Sequence, residues 1–100
     1  MEDERLSHGK PVMEIKVPGG KLVRMSMEDG GRISISGDFF VHPEEGLEAI
    51  EDALSGLEEG DARAVLSGLV RDKGIQLVGF DVDVLARLYE GIRHVENNRP

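Results

Sequence analysis

The side chains that could carry chemistry are few. Three histidines, His8, His42 and His94, stand far apart in the chain. None has a serine or carboxylate at a spacing that suggests a nucleophilic triad. A metal site needs at least two ligands brought together, and no His-x-x-x-His or comparable pair exists. There is no cysteine, which removes disulfides, thiolate ligands and thiol nucleophiles together. These residue types point away from independent catalysis and give no metal site.

The stretch Lys16-Val17-Pro18-Gly19-Gly20-Lys21, with Arg24 just beyond, offers a different chemistry. Backbone N–H groups of a glycine-rich turn, flanked by lysines, can hold a phosphate or a carboxylate. No Walker pattern follows, and no helix starts after the glycines. The same residues therefore also read as an ordinary hairpin turn with solvated lysines. A local basic cluster is nonetheless out of character here: the net charge is −8, from 20 acidic and 12 basic residues. That balance argues against nucleic acid and anionic membrane as partners. No apolar run reaches the length of a membrane span, and no charged-then-apolar leader opens the chain. A cytoplasmic location is the expectation.

A second group is Gly37-Asp38-Phe39-Phe40, which holds two of only four aromatic residues. Phe39 continues the alternation of Ile33 and Ile35 and is expected in the core. Phe40 falls on the opposite face unless Gly37 bends the chain. Beside the Asp38 carboxylate it reads either as an interface anchor or as core re-aimed under a helix.

Three alternating segments must position these groups. Met13, Ile15 and Val17 alternate with Glu14 and Lys16. Val23, Met25 and Met27 alternate with Arg24, Ser26 and Glu28, with Leu22 breaking the pattern. Ile33 and Ile35 alternate with Arg32, Ser34 and Ser36. Period-2 alternation predicts a sheet with one buried and one open face. Pro18-Gly19 suits a type II turn, and Asp29-Gly30-Gly31 a short hairpin.

The second half predicts helices. Pro43 is expected at the first helical position, with Glu44 and Glu45 at the positive end of the dipole and Leu47, Ile50, Leu54 and Leu57 inward. Glu58-Glu59-Gly60 breaks that run. Asp61 is expected to cap a second helix with Val65, Leu66, Leu69 and Val70 inward and Gly74 as its stop. Residues 75–80 read as an apolar link. Asp81 or Asp83 caps a third helix with Leu85, Leu88, Tyr89 and Ile92 inward. The expected class is α+β: a three-stranded antiparallel meander with about three helices on one face. One domain is expected over residues 11–95, with a mobile arm at 1–10 and a frayed tail at 96–100.

Taken in order, KVPGGKLVRMSME, the DGG turn, ISISGDFFVHPEE and the following amphipathic helix resemble the C-terminal accessory domain of lipoate–protein ligase. The chain looks most like the free-standing small subunit of archaeal two-chain ligases. The resemblance runs from about Lys16 to about Arg93. It is densest in KVPGGKLVR and SGDFF, and RDKGIQLVGFDVDVLARLYEGI fits the family's end.

The resemblance implies a small antiparallel sheet with helices, in agreement with the alternation. It implies a partner, the catalytic subunit, that holds the Mg-ATP and lipoate pockets and forms lipoyl-adenylate and pyrophosphate. The lipoyl group then passes to a lysine of a carrier, such as a 2-oxoacid dehydrogenase domain or the glycine cleavage H protein. The small domain is needed chiefly for the adenylation half. Lys16, Gly19, Gly20, Lys21 and Arg24 match the family's basic turn, and the expectation is that they face the catalytic subunit near the adenylate. Gly37, Asp38, Phe39 and Phe40 match the strand end, where Asp38 and Phe40 would support that loop or anchor the contact. None is implied to be catalytic, and this chain alone is expected to bind no cofactor. The same small fold occurs in iron–sulfur scaffold and sulfur-acceptor proteins, but their chemistry needs a cysteine that is absent here. The alternative from another functional class is a stand-alone module that binds a small anion or nucleotide at the basic turn.

Overall fold

Three antiparallel strands form where the apolar residues alternate. In the computed structural model, which describes residues 11–19, 21–57 and 60–97, β1 is Val12–Val17, β2 Lys21–Met27 and β3 Ile33–Gly37. They lie in the order β1-β2-β3. Met13 faces Met25 and Ile15 faces Val23 across the first pair, and Met25 faces Ile35 across the second. Val17, Val23, Met25, Ile33 and Ile35 are buried on one face. The predicted arm at 1–10, Gly20, the pair Glu58-Glu59 and residues 98–100 lie outside the described residues.

A sheet with one apolar face must cover it, and two helices do so. Helix α1 (Glu45–Ser55) packs against β3, and α3 (Val82–Asn97) packs against β1 and β2. Helix α2 (Ala62–Lys73) packs on both helices. Ile50 and Leu54 of α1, Leu66 of α2, and Leu85, Leu88 and Ile92 of α3 are wholly buried. The fold is therefore α+β, with a three-stranded antiparallel sheet under three helices. Glu96 and Asn97 of the expected tail are the last residues of α3.

The helix ends follow their local chemistry. Asp61 Oδ1 accepts from the Arg63 N–H at 3.0 Å and the Ala64 N–H at 3.4 Å. Gly74 closes α2 in the left-handed region at φ 63°. Asp81, rather than Asp83, caps α3 by accepting from the Val84 N–H at 3.0 Å. Asp83 instead meets Arg63 Nε at 2.6 Å.

Three expectations need correction. Residues 75–80 are not only a link: β4 (Phe40–His42) pairs antiparallel with β5 (Gln76–Val78) as a separate two-stranded sheet. Strands of three residues carry too little alternation to stand out in a sequence. Pro43 is not in the first turn, because α1 starts at Glu45 with Glu44 as its cap. Pairing of His42 with Gln76 holds the chain in strand geometry until just before Pro43. Val65 is not core: it is 39% exposed, and the half-buried Leu69 and Val70 make the contact instead.

Helix α1 also closes one edge of the sheet. The Ile33 N–H donates to Ser55 Oγ and the Ile35 N–H to Glu51 Oε2, both at 2.8 Å. Ser55 Oγ donates in turn to the Glu51 carbonyl at 2.7 Å. Side chains thus take the donors that β3 would otherwise leave open to a further strand. Arg32 reinforces the seam by reaching Asp52 and Glu51. Its guanidinium is held above its already high pKa, first by the hydrogen bond to Asp52, so it stays charged. Ser55→Ala strands the Ile33 donor in a half-buried place. A loss of about 1–2 kcal/mol is expected in urea unfolding, with an unchanged m value. A loss below about 0.3 kcal/mol means that water replaces the serine without cost.

Candidate functional site

The strand register decides how the basic turn is arranged. Lys16 faces Leu22, Glu14 faces Arg24, and Val17 faces Lys21. Opposed residues share a face, so Lys16 and Arg24 are diagonal neighbours on the open face of the sheet. Lys21 belongs to the face of Val17 and Val23 and is exposed at its rim. The basic side chains of Lys16, Lys21 and Arg24 therefore do not converge on one point. Gly19 takes φ 99°, as a type II turn requires. Gly20 lies outside the described residues.

Arg24 is already engaged. Its Nε and Nη2 lie 2.7 Å and 2.6 Å from Glu14 Oε2. This cross-strand partner was not foreseen, although Glu14 stands in the alternation directly ahead of Lys16. Among the described residues no carboxylate meets Lys16 or Lys21. The two lysines are the outward charges that the turn offers. Glu14 and Arg24 are both nearly half exposed, so water screens their pair. A double-mutant cycle of Glu14→Ala and Arg24→Ala is expected to give a coupling of about 0.5 kcal/mol that shrinks in salt. A coupling above about 2 kcal/mol contradicts a screened pair.

The strand end is arranged more sharply. Gly37 has φ 147°, and a Cβ built there would stand 2.0 Å from the Leu22 carbonyl oxygen. That same oxygen accepts from the Asp38 N–H at 2.8 Å. β3 therefore turns hard against β2 at this point, and only glycine fits. The turn sends Phe39 inward, where its ring meets that of Phe80 with centroids 4.4 Å apart. Phe39 is half buried and packed against the core.

Phe40, the first residue of β4, is 73% exposed. It does not bend under a helix. Opposite it in β5 stands Val78, which is 52% exposed. The pair makes an apolar patch on the outer face of the small ribbon, bordered by the exposed polar pair His42 and Gln76. Val78 was missed because the ribbon was missed. The alternation of Gln76 and Val78 with Leu77 is its trace in the sequence. Asp38 is exposed between this patch and the larger sheet. Leu22, which breaks the alternation of β2, is half buried on the open face of the larger sheet.

Other surfaces carry less chemistry. A groove at the starts of α2 and α3 is lined by residues including Arg63, Ser67, Phe80 and Asp83. A second lies between Pro43, Gly46, Lys73 and Ile75. Neither takes in Lys16, Lys21, Arg24, Asp38 or Phe40. Among the described residues no three His, Asp or Glu side chains come together to hold a metal ion. Among them, too, no helix is long and apolar enough to cross a membrane.

No family model matches the chain, and no curated protein matches it. It is similar to a chain in the solved structure of an archaeal lipoylation system from Thermoplasma acidophilum, described as a bi-partite lipoate protein ligase and its E2 lipoyl domain. The likeness has a TM-score of 0.56 and 26% identity, and covers 83% of this chain and 97% of that one. The coverage means that the neighbour is itself a small chain. The likeness links this fold to lipoylation.

Proposed function

We propose that this chain is the accessory, non-catalytic subunit of a two-chain lipoate–protein ligase. It acts with a catalytic subunit in the ATP-dependent activation of lipoate to lipoyl-adenylate, before transfer to a carrier lysine. The observation that carries the reading is the likeness to a small chain of a bi-partite ligase system over 83% of the sequence. The motifs KVPGGKLVR and SGDFF support it through their resemblance to the accessory domain of that family.

In this reading the surfaces divide the work. Phe40 and Val78 are the apolar anchor, desolvated when the catalytic subunit docks. Lys16 and Lys21 flank the turn that faces the adenylate. They order a phosphate-binding loop of the partner or neutralise charge that develops on the phosphates. Gly19 and Gly20 let the turn approach closely, and Arg24 and Asp38 frame it. Mg-ATP and lipoate are held by the complex, and this chain moves no proton and makes no bond. The setting is cytoplasmic, where the carriers of 2-oxoacid dehydrogenases and glycine cleavage are modified.

The alternative, a stand-alone anion or nucleotide module, loses support from the register. Lys16 and Lys21 stand on opposite sides of the sheet, and Arg24 is occupied by Glu14. The test is sedimentation of this chain mixed with the ligase catalytic chain of the same genome. A stoichiometric complex is expected. Two species that sediment independently, together with measurable affinity of the free chain for ATP or phosphate, would move the assignment to the alternative.

A further inference from the structure

The two edges of the large sheet are treated differently. The β3 edge is closed by Ser55 and Glu51, as described. Among the described residues the β1 edge is open. The Met27 N–H donates to the Pro11 carbonyl at 3.0 Å, which makes Pro11 and Met27 a hydrogen-bonded pair. Alternation then directs the main-chain groups of Met13, Ile15 and Val17 toward β2. Those of Val12, Glu14 and Lys16 point away from the sheet. Among the described residues nothing bonds to them on that side. An unpaired strand of six residues is a template for another strand.

The side chains along this edge say which strand fits. Val12, Glu14 and Lys16 all project on the open face and are exposed. Consider a second copy of β1 laid antiparallel, with Ile15 opposite its own symmetry mate. Glu14 then stands opposite the second copy's Lys16, and Lys16 opposite its Glu14. Both are hydrogen-bonded pairs, because their main-chain groups already point outward. Val12 meets Pro18 of the other copy, and the pairing ends there because proline has no N–H. Slipping the register by two residues either way, the smallest slip that keeps the outward main-chain groups facing one another, puts Glu14 against Glu14 or Lys16 against Lys16. Like charges directly opposite are unfavourable, so a single register is selected.

We propose that β1 is a self-complementary edge through which two copies of this chain associate about a two-fold axis, joining their sheets into one of six strands. The axis is perpendicular to the sheet, so both helical layers stay on the same side. Half-buried Ile15 meets its mate on that side, and Met13 meets the other copy's Val17. On the open face Arg24, Glu14 and the second copy's Lys16 form a line of alternating charge. An isologous interface of this kind needs only one patch that fits itself. The inference is independent of the role in lipoylation.

Analytical ultracentrifugation of the full chain over a range of concentrations tests it, with hydrogen exchange at single-residue resolution. A concentration-dependent dimer is expected. Amides of Val12, Glu14 and Lys16 should be protected in the dimer and exchange freely on dilution. Lys16→Glu places two acidic residues opposite one another and is expected to weaken the dimer about tenfold or more. Glu14→Lys with Lys16→Glu restores opposite charges and should recover the dimer to within about threefold. A chain that stays monomeric at all concentrations overturns the proposal. So does a dimer indifferent to Lys16→Glu. Protection of the three amides in the dilute monomer also overturns it, since the edge would then be filled by the chain itself.

Discussion

Gly37→Ala is expected to destabilise the free chain by about 3 kcal/mol, a fall of roughly 12–24 °C in Tm for a domain of this size. Two costs add. At φ 147° an L side chain is strained wherever it sits. A methyl group would also overlap the Leu22 carbonyl oxygen, which is fixed by its bond from the Asp38 N–H. Relief requires β3 to move off β2, and that in turn moves Phe39 from Phe80 and the start of β4 from β5. Gly30→Ala is the control. Gly30 also has positive φ, at 78°, but nothing lies within 4 Å of a Cβ built there. It should cost only about 1 kcal/mol, the conformational part alone. Equal Tm losses in the two variants would show that the contact at Leu22 relaxes freely.

Phe40→Ala has its large effect elsewhere. The ring is 73% exposed in the free chain, so its removal takes little buried area from the fold. The free-chain Tm should move by no more than about 3 °C, within the usual range for surface changes. In the proposed complex with a catalytic subunit, an aromatic anchor contributes about 2 kcal/mol, or about thirtyfold in Kd. Val78→Ala, across the ribbon, should act in the same direction with a smaller loss. Titration of the catalytic chain with each variant, followed by calorimetry, gives the comparison. A Kd unchanged by Phe40→Ala, or a Tm loss that matches the loss in binding, removes Phe40 as an anchor.

The larger sheet and its helices were legible because their apolar periods are long and clean. Ile33 and Ile35, or Leu85, Leu88 and Ile92, allow one face only, and the structure buries that face. The caps at Asp61 and Gly74 were legible for the same local reason: a side chain or a positive φ meets a helix end. At α3 the sequence left Asp81 and Asp83 open, and the structure places the cap on Asp81. The β4–β5 ribbon was not legible, because each strand has three residues and its partner lies in a distant part of the chain. Val78 was therefore invisible as the neighbour of Phe40. In the basic turn, residue types were legible but the register was not. Whether Lys21 sides with Lys16 depends on where the hairpin starts its count, and one residue reverses the face. Glu14 as the partner of Arg24 follows only from that register. Gly37 was read as a bend, and the approach to Leu22 supplies its cause.

The role proposed for this chain is completion of lipoate activation in trans. The most direct measurement is pyrophosphate release from Mg-ATP and lipoate, with the catalytic chain alone, this chain alone, and the two together. Release is expected from the mixture only, lowered by Lys16→Ala, Lys21→Ala and Phe40→Ala. Full release by the catalytic chain alone, unchanged when this chain is added, would contradict it.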